Sequence, residues 1–202
     1  MVKAMKKLLF VFALFIFVIS CGTTPEMAPA ENAEPVALAV QEEPQAVANT
    51  GELYLPQGTS IRDSQRGRVF ETNPKIIFGF AKTTMPANAN VAFAQVIEFL
   101  DKNPNVRLVV EGHTSNKGIA YPYNYNLSVN RVKNARAYLV NNGVDANRLI
   151  EKPLGEALPE SNVQANLRRY EFIIIENQAD MDKYNSFVST LDVRKETVYT
   201  GN

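Results

Sequence analysis

The sequence predicts an α+β fold, a β-α-β-α-β-β sandwich in which helices pack on one face of a mixed sheet, and three observations predict it. Runs rich in apolar and β-branched residues recur at 67–72, 75–80, 107–111, 148–151 and 169–175. Helical periodicity separates them at 86–100 and again from Ser128 to Leu139. A single polar stretch, rich in Pro and Ala, sets this block apart from an apolar N-terminus. Strands that alternate with helices and close on a last strand bury their apolar sides most simply as a helix layer against a sheet.

In chain order, Lys3, Lys6 and Lys7 precede an apolar run from Leu8 to Ile19 that stops at Ser20-Cys21. A positive start, an apolar core and a small residue at the cut describe a secretory signal over residues 1–20. The run is short against the roughly 20 apolar residues that span a bilayer. Cys21 is the sole cysteine, so it has no partner for an internal disulfide in an oxidising compartment. Its place at the cut makes the segment similar to a bacterial lipoprotein signal, which implies lipidation of Cys21. Gly22 in the next position tilts the expected sorting toward the outer membrane.

Residues 21–59 read as an acidic tether rich in Pro and Ala. Glu26, Glu31, Glu34, Glu42 and Glu43 alternate with Pro25, Pro29, Pro35 and Pro44, a composition that cannot build a core and keeps a chain extended. At about 3 Å per residue, about thirty residues of such a chain, from Gly22 to about Thr50, reach up to about 90 Å.

Residues 60–176 have the size of one domain. Gly67–Thr72 and Lys75–Phe80 read as strands broken by Asn73-Pro74, giving a hairpin or a bent strand entry. Pro86 suits the first turn of a helix whose face is Phe93, Val96, Ile97 and Leu100, and Asn103-Pro104 ends it. Arg107–Glu111 reads as a strand that breaks at Gly112. A second helix is expected with Ser128 as N-cap, Arg131 in its first turn and Gly143 as its left-handed C-cap. Further strands are expected at 148–151 and 169–175. In the extension 177–202, Met181, Tyr184, Phe187, Val188 and Leu191 fall at nearly helical spacing, which predicts either a docking helix or a partly ordered tail.

Three short motifs lie at the ends of these elements: Gly112-His113-Thr114-Ser115, then Asn124 with Leu127-Ser128-Val129-Asn130-Arg131, then Arg168-Arg169-Tyr170-Glu171-Phe172. Together they resemble the OmpA-like C-terminal domain, whose pattern runs GHTD, N-x-x-L-S-x-x-R and NRRVE. The resemblance implies a non-catalytic domain that grips the peptidoglycan stem peptide. In the family the acid of GHTD and the Arg of LSxxR hold the ammonium and carboxylate of diaminopimelate. Carried over residue by residue, the implied contacts are Arg131, Asn124, Ser115, Thr114 and Arg168.

The chemistry of each fits to a different degree. Arg131 offers a planar fork that matches a carboxylate. Asn124 either contacts ligand or holds its loop as an Asx turn, and Thr114 either faces ligand or caps its turn. His113 is the sole histidine; no nucleophile elbow surrounds Ser115, so no catalytic residue is expected. One histidine and one lipidated cysteine make no typical metal site, and no cofactor is expected.

Three positions depart from the family pattern. Ser115 replaces the acid, Ala81 stands where Asp or Asn is frequent, and Leu167 stands where Asn is frequent. Losing one charge-assisted hydrogen bond, worth about 1.5–3 kcal/mol, weakens binding roughly ten- to a hundredfold. Two readings follow. One is an outer-membrane lipoprotein of the peptidoglycan-associated type, facing the periplasm, with altered stem-peptide specificity. The other is an envelope scaffold of the same fold that has lost diaminopimelate binding and engages envelope proteins. The chain carries 21 basic and 21 acidic side chains and no basic stripe, which argues against nucleic acid as a partner. A porin is excluded because the many alternating strands of a barrel are missing.

Overall fold

The structure, a computed structural model, describes residues 51–195; the signal, Cys21 and most of the tether lie outside the described residues. Five strands form one mixed sheet in the order β1-β2-β5-β3-β4. They are β1 Ser60–Ser64, β2 Gly67–Glu71, β3 Arg107–His113, β4 Leu149–Gly155 and β5 Tyr170–Ile175. Only β3 and β4 run parallel; the other neighbours are antiparallel.

The hairpin at the start of the sheet differs from the expected one. Its strands are β1 and β2, paired from Ser60↔Glu71 to Ser64↔Gly67, whereas Lys75–Phe80 is no strand. That segment touches the sheet through one bridge, Ile77↔Arg169, and through a bond from the Phe78 amide to the Arg168 carbonyl at 2.7 Å. Ile76 and Phe78 are nevertheless buried, which explains the strand-like alternation. β1 escaped the periodicity because it is an edge strand with a single apolar residue, Ile61, and mostly faces water.

Helix α1, Ala89–Lys102, buries Phe93, Val96, Phe99 and Leu100, while Ile97 is partly buried against the same core. Pro86 lies just before it, accepting from the Ala89 amide. Asn103 ends the helix and binds its last turn, donating to the Phe99 carbonyl at 2.7 Å. The same side chain exchanges bonds with the Tyr54 backbone, which fastens the entering chain.

Helix α2 spans Tyr123–Asn141, so it begins five residues before Ser128, and Arg131 lies in its third turn rather than its first. The sequence offers no cap at the true start: Pro122 makes no side-chain cap bond. The first amides are satisfied instead by backbone, with Asn124, Tyr125 and Asn126 donating to the carbonyls of Ile119, Ala120 and Pro122. Such tertiary satisfaction of the orphan donors of a helix leaves no local signature. At the other end Gly143 has φ +94°, as the C-cap reading required.

Alternation along β3 and β5 divides the core. Leu108, Val110, Phe172 and Ile174 face α1 and α2 in the main cluster. Val109, Ile173 and Ile175 face the opposite side, where α3, Gln178–Val188, lays Tyr184 and Val188 over them. Helices α1 and α2 thus share one face, and the extension adds a third helix on the other. Asn177 caps it by accepting from the Asp180 amide at 3.0 Å.

Candidate functional site at the ends of β3 and β4

Because β3 and β4 are parallel neighbours, their C-terminal ends open at the same edge, with His113 opposite Gly155. The Thr114 amide donates to the Gly155 carbonyl at 2.8 Å, so the residues following both strands are held side by side. Helix α2 crosses this end at very close range. A Cβ added at Gly112 would lie 2.7 Å from Val132 Cγ1 and 2.8 Å from the Ser128 carbonyl, so only glycine admits the helix there. Ser128, buried inside α2, donates to the Tyr125 carbonyl at 2.6 Å and accepts from the Gly155 amide at 3.1 Å. Its part is to weld α2 to β4, not to cap the helix.

Arg131 is completely buried. Its guanidinium lies 4.2 Å over the Phe78 ring. Nη1 donates to the His113 carbonyl at 2.6 Å, and Nε and Nη2 donate to the Lys82 carbonyl at 3.0 and 2.8 Å. Burial, with a further push from the charge on Arg168, lowers its pKa to about 10. Arg168 is half-buried and donates to the carbonyls of Phe78 and Gln164 at 2.8 and 3.0 Å. Among the described residues neither guanidinium is paired with a carboxylate. Both are fixed by neutral oxygens, an expensive arrangement for a buried charge.

The other expected contacts sit around the same strand end and are also buried: Thr114, Ser115 and Asn124 are 4%, 3% and 2% exposed. Thr114 Oγ1 has no hydrogen-bond partner. Asn124 Nδ2 lies within reach of three acceptors, the carbonyls of Ser115 and Lys117, both at 3.2 Å, and Glu156 Oε2 at 2.6 Å. Ser115 and Asn124 are therefore joined directly, and Arg131 joins them through the backbone of His113.

Two of the departures acquire physical meaning here. Ala81 has φ +54°, in the left-handed region that Asn and Asp tolerate better than other side chains with a Cβ. An Asp or Asn preference at that position therefore has a backbone reason. Leu167 is 2% exposed, so an apolar side chain there belongs to the interior.

Beneath the sheet, on the α3 side, lies a second charged group that the sequence reading passed over. Arg66 grips both oxygens of Glu111 at 3.0 and 3.1 Å, binds Glu160 at 2.5 Å and also contacts Glu171. His113 Nε2 is 3.1 Å from Glu111 Oε2, and Arg169 binds Glu160 at 3.0 Å. The available signal was a carboxylate within each of two buried strands, at Glu111 and Glu171, since an interior charge demands a partner. Glu111, His113 and Glu171 do bring ligand atoms within 4.8 Å of one another. Arg66 already neutralises both carboxylates there, so a metal ion would have to displace a guanidinium. A cavity of about 640 Å³ beside this network is lined by Arg62, Glu71, Glu160, Arg169 and Glu171. Those charges are matched among themselves, and none of the five expected contacts lines it.

The OmpA family model matches residues 77–171, which contain the first two motifs and all of the third but Phe172. The peptidoglycan-associated lipoproteins of Rhizobium meliloti (strain 1021) and Agrobacterium fabrum (strain C58) are 30% and 29% identical to this chain. The matches run over 107 and 112 residues, which are 53% and 55% of this chain and 60% and 63% of theirs. The chain thus spans less than two thirds of the length of these curated relatives. Among solved structures, the periplasmic domain of Helicobacter pylori MotB shares the fold, with a TM-score of 0.51 at 17% identity over 66% of this chain and 89% of that one. The motifs, the mixed sheet with its helices and these matches together make this chain OmpA-like, with a domain similar to that of the peptidoglycan-associated lipoproteins.

Proposed function

We propose that the chain is a non-catalytic lipoprotein, anchored in the outer membrane through lipidated Cys21, whose periplasmic domain binds the peptidoglycan stem peptide and so links envelope to wall. The observation that carries this reading is the pair Arg131 and Arg168, two ordered guanidiniums with no carboxylate among the described residues to balance them. A ligand carboxylate supplies the missing charge, and Arg binds it as a fork. Thr114, Ser115 and Asn124 complete the wall of the site.

Access runs through the segment that contains Lys82. The Lys82 carbonyl accepts two Arg131 donors, in the manner of one carboxylate oxygen, and its neighbour Ala81 holds a left-handed conformation that costs about 1 kcal/mol. An entering carboxylate takes the place of that carbonyl, and the segment relaxes. Absence of catalysis is supported by the lack of any hydrogen bond between the His113 ring and the Ser115 side chain among the described residues: His113 Nε2 lies against Glu111 under the sheet and Nδ1 has no partner.

The test is co-sedimentation of the full-length protein, in detergent, with purified sacculi. Wild type is expected in the pellet, and Arg131→Ala in the supernatant. Equal retention of both would remove Arg131 from the mechanism. The scaffold reading draws on Phe80, Tyr123 and Val163, which are 59%, 48% and 57% exposed and so offer apolar surface to protein partners. Failure of wild type to sediment with the organism's own sacculi would favour it.

A further inference from the structure

Between β2 and β5 the sheet opens. The two strands pair at Val69↔Ile173 and Phe70↔Phe172, but the next bond on this side of β5 runs from the Tyr170 amide to the Ile76 carbonyl at 3.4 Å. The chain between Phe70 and Ile76 therefore loops past β5, and the cavity of about 640 Å³ lies at this parting. That volume falls within the roughly 300–1,000 Å³ of small-ligand sites.

Its walls combine apolar surface, from Phe70, Ile76 and Phe172, with fixed charges. Glu71 and Glu171 are held together by Arg62, which donates to them at 3.0 and 2.8 Å. Arg62, Lys75 and Arg169 balance Glu71, Glu160 and Glu171, so the cavity presents donors and acceptors without net charge. One donor is left over. The Arg169 side chain is 9% exposed, its Nη2 binds Glu160 at 3.0 Å, and its Nη1 has no partner; a buried polar group of that kind calls for an acceptor.

An ionic ligand would have to break an existing pair. A neutral ligand rich in hydroxyls does not, because each hydroxyl can donate to a carboxylate and accept from a guanidinium. A sugar that bears an acetamide adds a carbonyl for Arg169 Nη1 and apolar surface for the wall. Ile77 and Arg169 form a β-bridge and line the cavity, whereas their chain neighbours Phe78 and Arg168 belong to the stem-peptide site, joined through the Phe78 carbonyl. The two places thus adjoin across one pair of short segments. In peptidoglycan each stem peptide is carried on an N-acetylated amino sugar.

We infer that the cavity between β2 and β5 is a subsite for an uncharged N-acetylated amino sugar of the glycan backbone, which rests on the reading of Arg131 and Arg168 as the stem-peptide site. Full-length protein in detergent is titrated calorimetrically with the disaccharide-peptide released from the organism's sacculi and with the same peptide freed of its sugars. Wild type is expected to favour the sugar-bearing ligand by roughly tenfold or more, the effect of one hydrogen bond to a charged group. Arg169→Lys keeps a cation beside Glu160 but loses the unpartnered nitrogen, and Asn166→Trp fills the cavity from an exposed position on its wall. Each should bring the two ligands within about twofold while the free peptide binds as before; Asn166→Trp decides the matter should Arg169→Lys not fold. Wild type that binds both ligands equally overturns the sugar subsite alone, as does Asn166→Trp that keeps the full preference. Wild type that binds neither overturns the stem-peptide reading and the subsite with it.

Discussion

Phe78 seats both cations of the site: its ring lies 4.2 Å under the Arg131 guanidinium, and its carbonyl accepts from Arg168 Nε at 2.8 Å. A cation over an aromatic face, removed from water, gains about 1–2 kcal/mol. Phe78→Leu keeps an apolar side chain but removes that face. Retention on sacculi should weaken by roughly fivefold to thirtyfold, while the circular dichroism of the folded protein is unchanged.

Ala81 holds φ +54° without the side chain that eases it. Ala81→Asn should therefore raise the stability of the folded protein by about 0.5–1 kcal/mol, read as a higher urea midpoint. A loss of stability would mean that the left-handed conformation is not the source of the preference at this position.

Gly112 leaves no room for a Cβ, with Val132 Cγ1 at 2.7 Å and the Ser128 backbone at 2.8 Å. Gly112→Ala should force α2 away from β3 and cost about 1–3 kcal/mol. Because α2 carries Asn124 and Arg131, sacculus retention should fall with it. Chemical denaturation and co-sedimentation on the same preparation check both halves.

Acid should destabilise the fold through the network under the sheet. Burial raises the pKa of Glu111, but the hydrogen bond from His113 and the charge of Arg66 outweigh it and hold the carboxyl below its ordinary value. Glu160 and Glu71 are held down in the same sense, against burial, chiefly by Arg66 and by Arg62. Such groups contribute stability that is complete above the unfolded value of 4.5 and is lost as pH falls through the folded values. The urea midpoint should be flat from neutral pH to about 5 and fall below about 4.5. Glu111→Gln should lower the midpoint at neutral pH and flatten that fall; an unchanged acid slope would place its origin elsewhere.

Tyr184 is fully buried on the α3 face, against the layer of Val109 and Ile173. Tyr184→Ala should cost about 3–5 kcal/mol, as loss of a large buried ring does. A loss below about 1 kcal/mol would show that the extension is not integral to the fold.

Much of the fold was legible because its signals are local. Phe93, Val96 and Leu100 repeat with the helical period, the run from Leu108 to Val110 is β-branched and apolar, and Gly143 stops α2. The misreadings share a cause as well. β1 is polar because an edge strand faces water, Lys75–Phe80 alternates because its side chains are buried without a ladder, and α2 begins early because backbone carbonyls take the place of a cap.

The site divides along the same line. The motifs at Gly112, Asn124, Arg131 and Arg168 could be read from the chain, as could the residue types that the proposed site draws on. Partners could not. That Arg131 meets two carbonyls and no acid, that Arg66 neutralises Glu111 and Glu171 from a turn far away in sequence, and that Asn124 finds Glu156 were decided by strand order and register. Periodicity and propensity report on near neighbours, whereas the balance of a buried charge is set by groups that only the folded sheet brings together.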